Sequence, residues 1–105
     1  MKVQSKLNVS YTDILALLQA QFPQYQIELL KNPLFRFEYI QVRKSAMHGA
    51  WIRVKDGTNI TVDGAIPSTL LRGLAGGLLL YAIAWSGMKK MEKEMGNFLQ
   101  EKLAS

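Results

Sequence analysis

The N-terminal part of the chain changes from strand-like to helix-like spacing at residue 10. Residues 1–9 alternate between apolar and polar positions, with Ser5 the exception on the apolar side, and a period of two is typical of a strand. A helix is predicted next, with Ser10 as its N-cap and Asp13 in the reciprocal position of a capping box. Pro23 ends this helix, because proline cannot continue one. The apolar stripe of the helix consists of Ile14, Leu15, Leu17, Leu18 and Phe22.

Four more strands are predicted after this helix. Tyr25, Ile27 and Leu29 alternate with polar residues and predict the first of them. Residues 34–44 are rich in aromatic and β-branched side chains, but their apolar positions change parity near Tyr39. Either a bulge switches the faces of this strand, or both of its faces are covered.

The register of the last two strands follows from their apolar positions. A two-residue turn would mix apolar and polar side chains on each face, so we predict a three-residue loop of residues 55–57. Gly57 then takes the left-handed conformation that such a loop requires. The predicted pairs are Val54 with Thr58, Ile52 with Ile60 and Ala50 with Val62.

These patterns predict an α+β fold whose antiparallel sheet has four to five strands. The predicted order is β-α-β-β-β-β-α, with an N-terminal helix and a long C-terminal helical region that is apolar first and charged later. The predicted parts are a small α+β domain at residues 1–66, an apolar helical segment at 67–88 and an amphipathic C-terminal helix at 89–105.

Residues 73–88 carry no charge and lie between Arg72 and Lys89. A helix of that length reaches about 24 Å, which is short of the roughly 30 Å of a bilayer's hydrocarbon core. Positive charge on both sides places both flanks on the same side of a membrane, which favours shallow insertion over a span. The alternative is a helix covered by the sheet and by a second copy of the chain, because a helix that is apolar all round must be covered all round. The residues predicted to contact a membrane or a second copy are Gly73, Gly77, Leu79, Tyr81, Ile83 and Trp85.

Composition excludes several kinds of site. The chain contains no cysteine, so disulfides, zinc thiolate sites, iron–sulfur clusters and thiol nucleophiles are absent. Its one histidine, His48, has no partner at a catalytic or metal-binding spacing. We therefore expect no enzymatic activity, no metal and no cofactor. The first residues lack the apolar region of a signal peptide, so the expected location is the cytoplasm, including the cytoplasmic face of a membrane.

A net charge of +5 makes nucleic acid an alternative partner. Phe35 and Phe37 could stack on bases if an exposed sheet face carried them. We expect these rings to be buried against Leu15 and Leu18, because burial is the usual fate of aromatic residues that alternate along a strand. Nucleic acid is therefore the disfavoured partner, bound weakly and only at low salt. The predicted anion contacts are Arg43, Lys44, Arg53 and Lys55.

Two further patterns in the C-terminal part of the chain suggest other ligands. Residues 89–93, with the sequence KKMEK, resemble the KKxAK helix start of double-stranded-RNA-binding domains, which implies double-stranded RNA as a ligand. The resemblance departs at Glu92, where that family has alanine, and we carry no function over from it.

Met88, Met91 and Met95 would give a pliable pocket wall to a small carrier of lipid or another hydrophobic ligand.

The favoured function is a small non-enzymatic interaction module that acts through its apolar C-terminal helix. Its expected partner is a membrane, contacted through residues 67–88, or a second copy of the chain in a homodimer.

Overall fold

A computed structural model of the protein describes residues 1–31, 37–45, 48–65 and 78–104, with side chains in the last helix described from residue 85 onward. The described elements follow the predicted order and confirm the α+β class. They are β1 (Lys2–Gln4), α1 (Tyr11–Gln21), β2 (Gln26–Lys31), β3 (Glu38–Arg43), β4 (Gly49–Lys55), β5 (Asn59–Ala65) and α2 (Leu78–Leu103).

The described strands form one antiparallel sheet of five strands in the order β1-β5-β4-β3-β2. Helix α1 packs on β2 and β3, and helix α2 packs on β5, β4 and β1. Both helices share one core with the sheet, so they cover the same face, which we call the inner face. The core consists of Val3, Ile14, Leu18, Ile27, Ile40, Val42, Ala50, Ile52, Ile60, Val62, Met91, Met95 and Leu99.

Helix α1 begins and ends as its sequence predicts. The Ser10 hydroxyl accepts a hydrogen bond from the Asp13 backbone amide, and the Asp13 carboxylate accepts one from the Ser10 amide at 2.9 Å. This confirms the capping box. The helix ends at Gln21, directly before its C-cap Phe22. The Phe22 ring meets Phe98 edge-on, with 5.2 Å between ring centroids, and so joins the two helices.

The predicted register of the β4–β5 hairpin is wrong by two residues. The structure pairs Val54 with Ile60, Ile52 with Val62 and Ala50 with Gly64. The connection begins one residue later than predicted because Asp56 as well as Gly57 has a positive φ, at 59° and 76°, and aspartate tolerates this conformation better than most residues. A shift of two residues keeps every side chain on its face, so the predicted apolar face is correct.

The first strand is shorter than the alternation of residues 1–9 predicts. After Gln4 the Ser5 hydroxyl donates to the Leu7 carbonyl at 2.6 Å and accepts from the Leu7 amide at 3.2 Å. This local turn takes the chain out of the sheet, and Leu7 is consequently 71% exposed.

Helix α2 runs without a break across residue 88, where the predicted apolar segment ends and the predicted amphipathic helix begins. From Met88 onward its buried side chains recur at helical spacing, at Met91, Met95 and Leu99. Over the described residues, no helix is both long enough and apolar enough to cross a membrane.

Candidate functional site

Helix α2 approaches the sheet most closely at the end where β4 begins and β5 ends. A Cβ atom added to Gly64 would overlap the backbone of Met88, and one added to Gly87 would overlap the His48 ring. Two glycines therefore allow the helix to lie directly on this end of the sheet. The other end of α2 reaches the hairpin side of the molecule, where the Leu103 carbonyl accepts from the Lys6 amide at 2.9 Å.

The N-terminal part of α2 extends beyond this close approach. Residues 78–86 precede it, and nine helical residues cover about 13 Å. Within the described residues, which stop at Ala65 on this side, strand β5 continues by one residue past Gly64, or about 3 Å. Residues 78–84 have the sequence LLLYAIA, which contains no charge. Trp85 follows and is 55% exposed.

Positive charge surrounds the place where the helix leaves the sheet. The Lys89 ammonium lies 4.8 Å from the centroid of the Trp85 ring, a cation–π distance, and 3.6 Å from the Glu92 carboxylate. Lys44 and Lys90 line a shared cleft of about 300 Å³. The other residues lining this cleft are His48, Ser86, Gly87, Met91 and Glu94. We call Lys44, Trp85, Lys89 and Lys90 the helix-exit cluster.

The predicted membrane or self-association residues fall into three groups. Gly73 and Gly77 lie outside the described residues. Leu79, Tyr81 and Ile83 belong to α2, whose side chains are described only from residue 85 onward. Trp85 is at the surface, as a contact residue must be.

The four predicted anion contacts do not form one cluster. Arg43 ends β3, and Lys44 follows it at the helix-exit end of the sheet. Arg53 and Lys55 lie in the second half of β4, towards the hairpin. Since Arg43 pairs with Gly49, Arg53 lies four residues farther along β4, at a distance of about 13 Å.

The expectation that the aromatic run is buried under α1 is wrong for Phe37. Its ring is half-buried and lies with Tyr39 on the sheet face opposite the helices, the outer face, at a centroid distance of 5.9 Å. The Tyr39 ring is 5.1 Å from the Trp51 ring, and the Arg53 guanidinium carbon is 5.4 Å from the Phe37 centroid. Phe35 lies outside the described residues. The parity change near Tyr39 is thus explained by aromatic side chains on the outer face and aliphatic ones on the inner face.

The sequence analysis identified only some residues of the helix-exit cluster and of the outer-face rings. Lys89 follows Trp85 by four positions, which is the helical spacing that brings side chains together, so this part of the helix-exit cluster had a readable signal. Trp51 precedes Ile52 in the strand, so the sequence predicts that it lies on the face opposite the apolar one. Its contact with Tyr39 depends on the pairing of β3 with β4, which the sequence alone does not supply.

The described residues offer little catalytic chemistry. They contain no group of three His, Asp or Glu side chains placed to hold a metal ion. Desolvation and the hydrogen bond to Glu94, 2.8 Å long, raise the pKa of the Tyr25 phenol above its ordinary value of 10.0, so the shift does not change its protonated state at neutral pH. Hydrogen bonds from Ser10 lower the pKa of Asp13, whose role is in the capping box. The absence of enzymatic activity stays a prediction.

Comparison with known proteins found no matching family model, no matching curated protein and no matching solved structure.

Proposed function

We propose that the protein is a membrane-associated interaction module that inserts the apolar N-terminal part of α2 shallowly into a lipid surface. The observation that carries this proposal is the position of Trp85. It is 55% exposed on the part of α2 that extends beyond the sheet, directly after an uncharged stretch of helix. Tryptophan is enriched at the membrane–water interface, where its ring sits at the level of the headgroups.

The charges of the helix-exit cluster support the same partner. Lys44, Lys89 and Lys90 lie at the end of the molecule from which the apolar helix emerges. Lysines in this position can contact the phosphates of the lipid into which the helix inserts, and each basic residue near an anionic surface contributes about 1 kcal/mol to binding. Shallow insertion also agrees with the length of the uncharged run, which is too short to span a bilayer.

The test is flotation of the full chain with vesicles of phosphatidylcholine and phosphatidylserine. We expect the chain to float with these vesicles and Trp85→Lys to remain largely in the aqueous fraction. Leu79→Lys/Ile83→Lys should abolish flotation, because a charge in the apolar part of a helix costs about 2.5–3.5 kcal/mol in lipid. Leu7→Lys is the matched control, since Leu7 is 71% exposed on the hairpin side of the molecule, and it should float normally.

Light scattering separates lipid contact from self-association. A stable monomer that does not bind vesicles contradicts the proposal. If the chain is a dimer that does not bind vesicles, and Leu79→Lys/Ile83→Lys makes it monomeric, the apolar helix contacts a second copy of the chain instead of lipid.

A further inference from the structure

The outer face of the sheet combines aromatic rings with cationic side chains at the end opposite the helix-exit cluster. Phe37, Tyr39 and Trp51 form a continuous row of rings across β3 and β4, with centroid distances of 5.9 and 5.1 Å. The Trp51 indole nitrogen donates to the Gln41 side chain at 3.2 Å, which fixes the orientation of its ring. Neither described helix packs on this face.

Arg53 and Lys55 lie beside this row of rings on β4, and Lys2 lies two strands away on β1. Lys2 pairs with Thr61, and Thr61 pairs with Arg53, so both cationic side chains lie in one line across β1, β5 and β4. Lys55 follows two residues after Arg53 on the same side of β4. Two adjoining clefts of about 500 and 530 Å³ share Lys55 and Thr61 in their lining. Glu38 and Asp56 contribute one carboxylate to each cleft, which leaves the cations in excess.

We propose that this outer face binds single-stranded nucleic acid, with bases stacked on the aromatic row and phosphates held by Arg53, Lys55 and Lys2. Aromatic rings accept any base, because every base has a π-face, and cations beside them track the phosphate backbone. The Arg53 guanidinium over Phe37 offers a planar stacking surface of its own as well as a charge. A lipid surface is the poorer occupant here, because the polar residues Gln41, Thr61 and Asp63 lie directly beside the rings and cations of this face, at Trp51 and Arg53.

The same contacts would also exist if the rings served only to stabilise the sheet through cross-strand pairs. The test must therefore measure binding in variants that keep the apolar contact area. Phe37→Leu removes the ring and retains an apolar side chain, and Arg53→Gln removes the charge and retains a polar, though shorter, side chain.

The experiment is a fluorescence-anisotropy titration of labelled oligouridine with the full chain, at low salt and at about 0.2 M salt, where nonspecific phosphate contacts are largely lost. Heparin serves as a polyanion without bases, and double-stranded RNA as a ligand whose bases are already paired. We expect oligouridine to bind more tightly than either at the higher salt, and Phe37→Leu to weaken it on the order of tenfold. Lys102→Gln is the charge-matched control for Arg53→Gln, because Lys102 is exposed in the last turn of α2, and it should bind like the unaltered chain.

Thermal melting of each variant shows whether its fold is intact. Equal affinities for heparin and oligouridine, together with an unaffected Phe37→Leu variant, would reduce the interaction to the attraction of a +5 chain for any polyanion and overturn the proposal. Trp85→Lys keeps the outer face unchanged, so its loss of vesicle binding with retained oligouridine binding shows that the two surfaces act independently.

Discussion

The two faces of the sheet are built from different side chains and make different demands on the sequence. On the inner face, Ile40, Ile52 and Val62 are fully buried and aliphatic. On the outer face, the Tyr39 ring packs against Trp51 and the Arg53 guanidinium lies over Phe37, all in partial contact with water. Aliphatic burial supplies most of the free energy of folding, so the inner face determines stability. The outer face has little role in the core and can therefore carry a binding surface.

Ile52 and Arg53, adjacent in β4, point to opposite faces, and replacing each by alanine tests this division most directly. Ile52→Ala should lower the free energy of unfolding by about 2–5 kcal/mol, because it leaves a cavity among fully buried neighbours. Arg53→Ala should cost about 1 kcal/mol or less, the usual range for an exposed cation–π contact. Urea denaturation measures both. Similar losses in the two variants would show that the outer face also supports the fold.

Tyr11, the first residue of α1, connects β3 to β4 through backbone hydrogen bonds. Its hydroxyl donates to the Glu38 carbonyl at 2.7 Å and accepts from the Val54 amide at 3.0 Å. The Ile40–Ile52 pair, continued by two residues, places Glu38 opposite Val54, so the hydroxyl bridges two strands where a direct backbone bond would otherwise form. Tyr11→Phe should cost about 1–3 kcal/mol, because both backbone groups lose their partner.

Hydrogen exchange gives this prediction a local readout. The Val54 amide should exchange faster in Tyr11→Phe, whereas the Ile52 amide should not. Tyr25→Phe is the control, because the Tyr25 hydroxyl contacts only the exposed Glu94 carboxylate among the described bonds and its loss should have a smaller effect. Unchanged stability in Tyr11→Phe would mean that the Val54 amide and the Glu38 carbonyl pair directly without the hydroxyl, and that the hydroxyl does not stabilise the fold.

The sequence predicted the inner face better than the outer face for a physical reason. Alternation and capping are local, so residues 10–13 and the parity of β4 and β5 could be read directly. The two-residue error in the hairpin left the faces unchanged, because side chains repeat every two residues along a strand. Phe37 was misplaced because an aromatic residue on a strand can be covered by a helix or by its cross-strand neighbours, and only the pairing of β3 with β4 decides between them.

Part of the candidate lipid site could be predicted from the sequence, because that part is also a local pattern within one helix. Residues 73–88 stand out by the absence of charge, and Lys89 and Lys90, of which Lys89 follows Trp85 at helical spacing, belong to the same helix. The contribution of Lys44 could not be read, because it depends on Gly64 and Gly87 bringing α2 onto the end of the sheet.

The smallest expected effect is the loss of stability at low pH through Asp13 of helix α1, which packs on β2 and β3. The Ser10 backbone amide, followed by the Ser10 side chain, holds the pKa of Asp13 below its ordinary value of 3.8. A carboxyl whose pKa is lower in the folded state stabilises that state above its unfolded pKa, and this contribution is lost as the pH falls through the folded pKa.

The free energy of unfolding should therefore decrease as the pH is lowered from neutral to below 3.8, and Asp13→Asn should make that decrease smaller. Ser10→Ala should keep most of it, because the backbone amide still donates to the carboxylate at 2.9 Å. An NMR titration of the Asp13 carboxyl carbon in the folded chain measures the shift directly, and a midpoint at or above 3.8 would contradict the prediction.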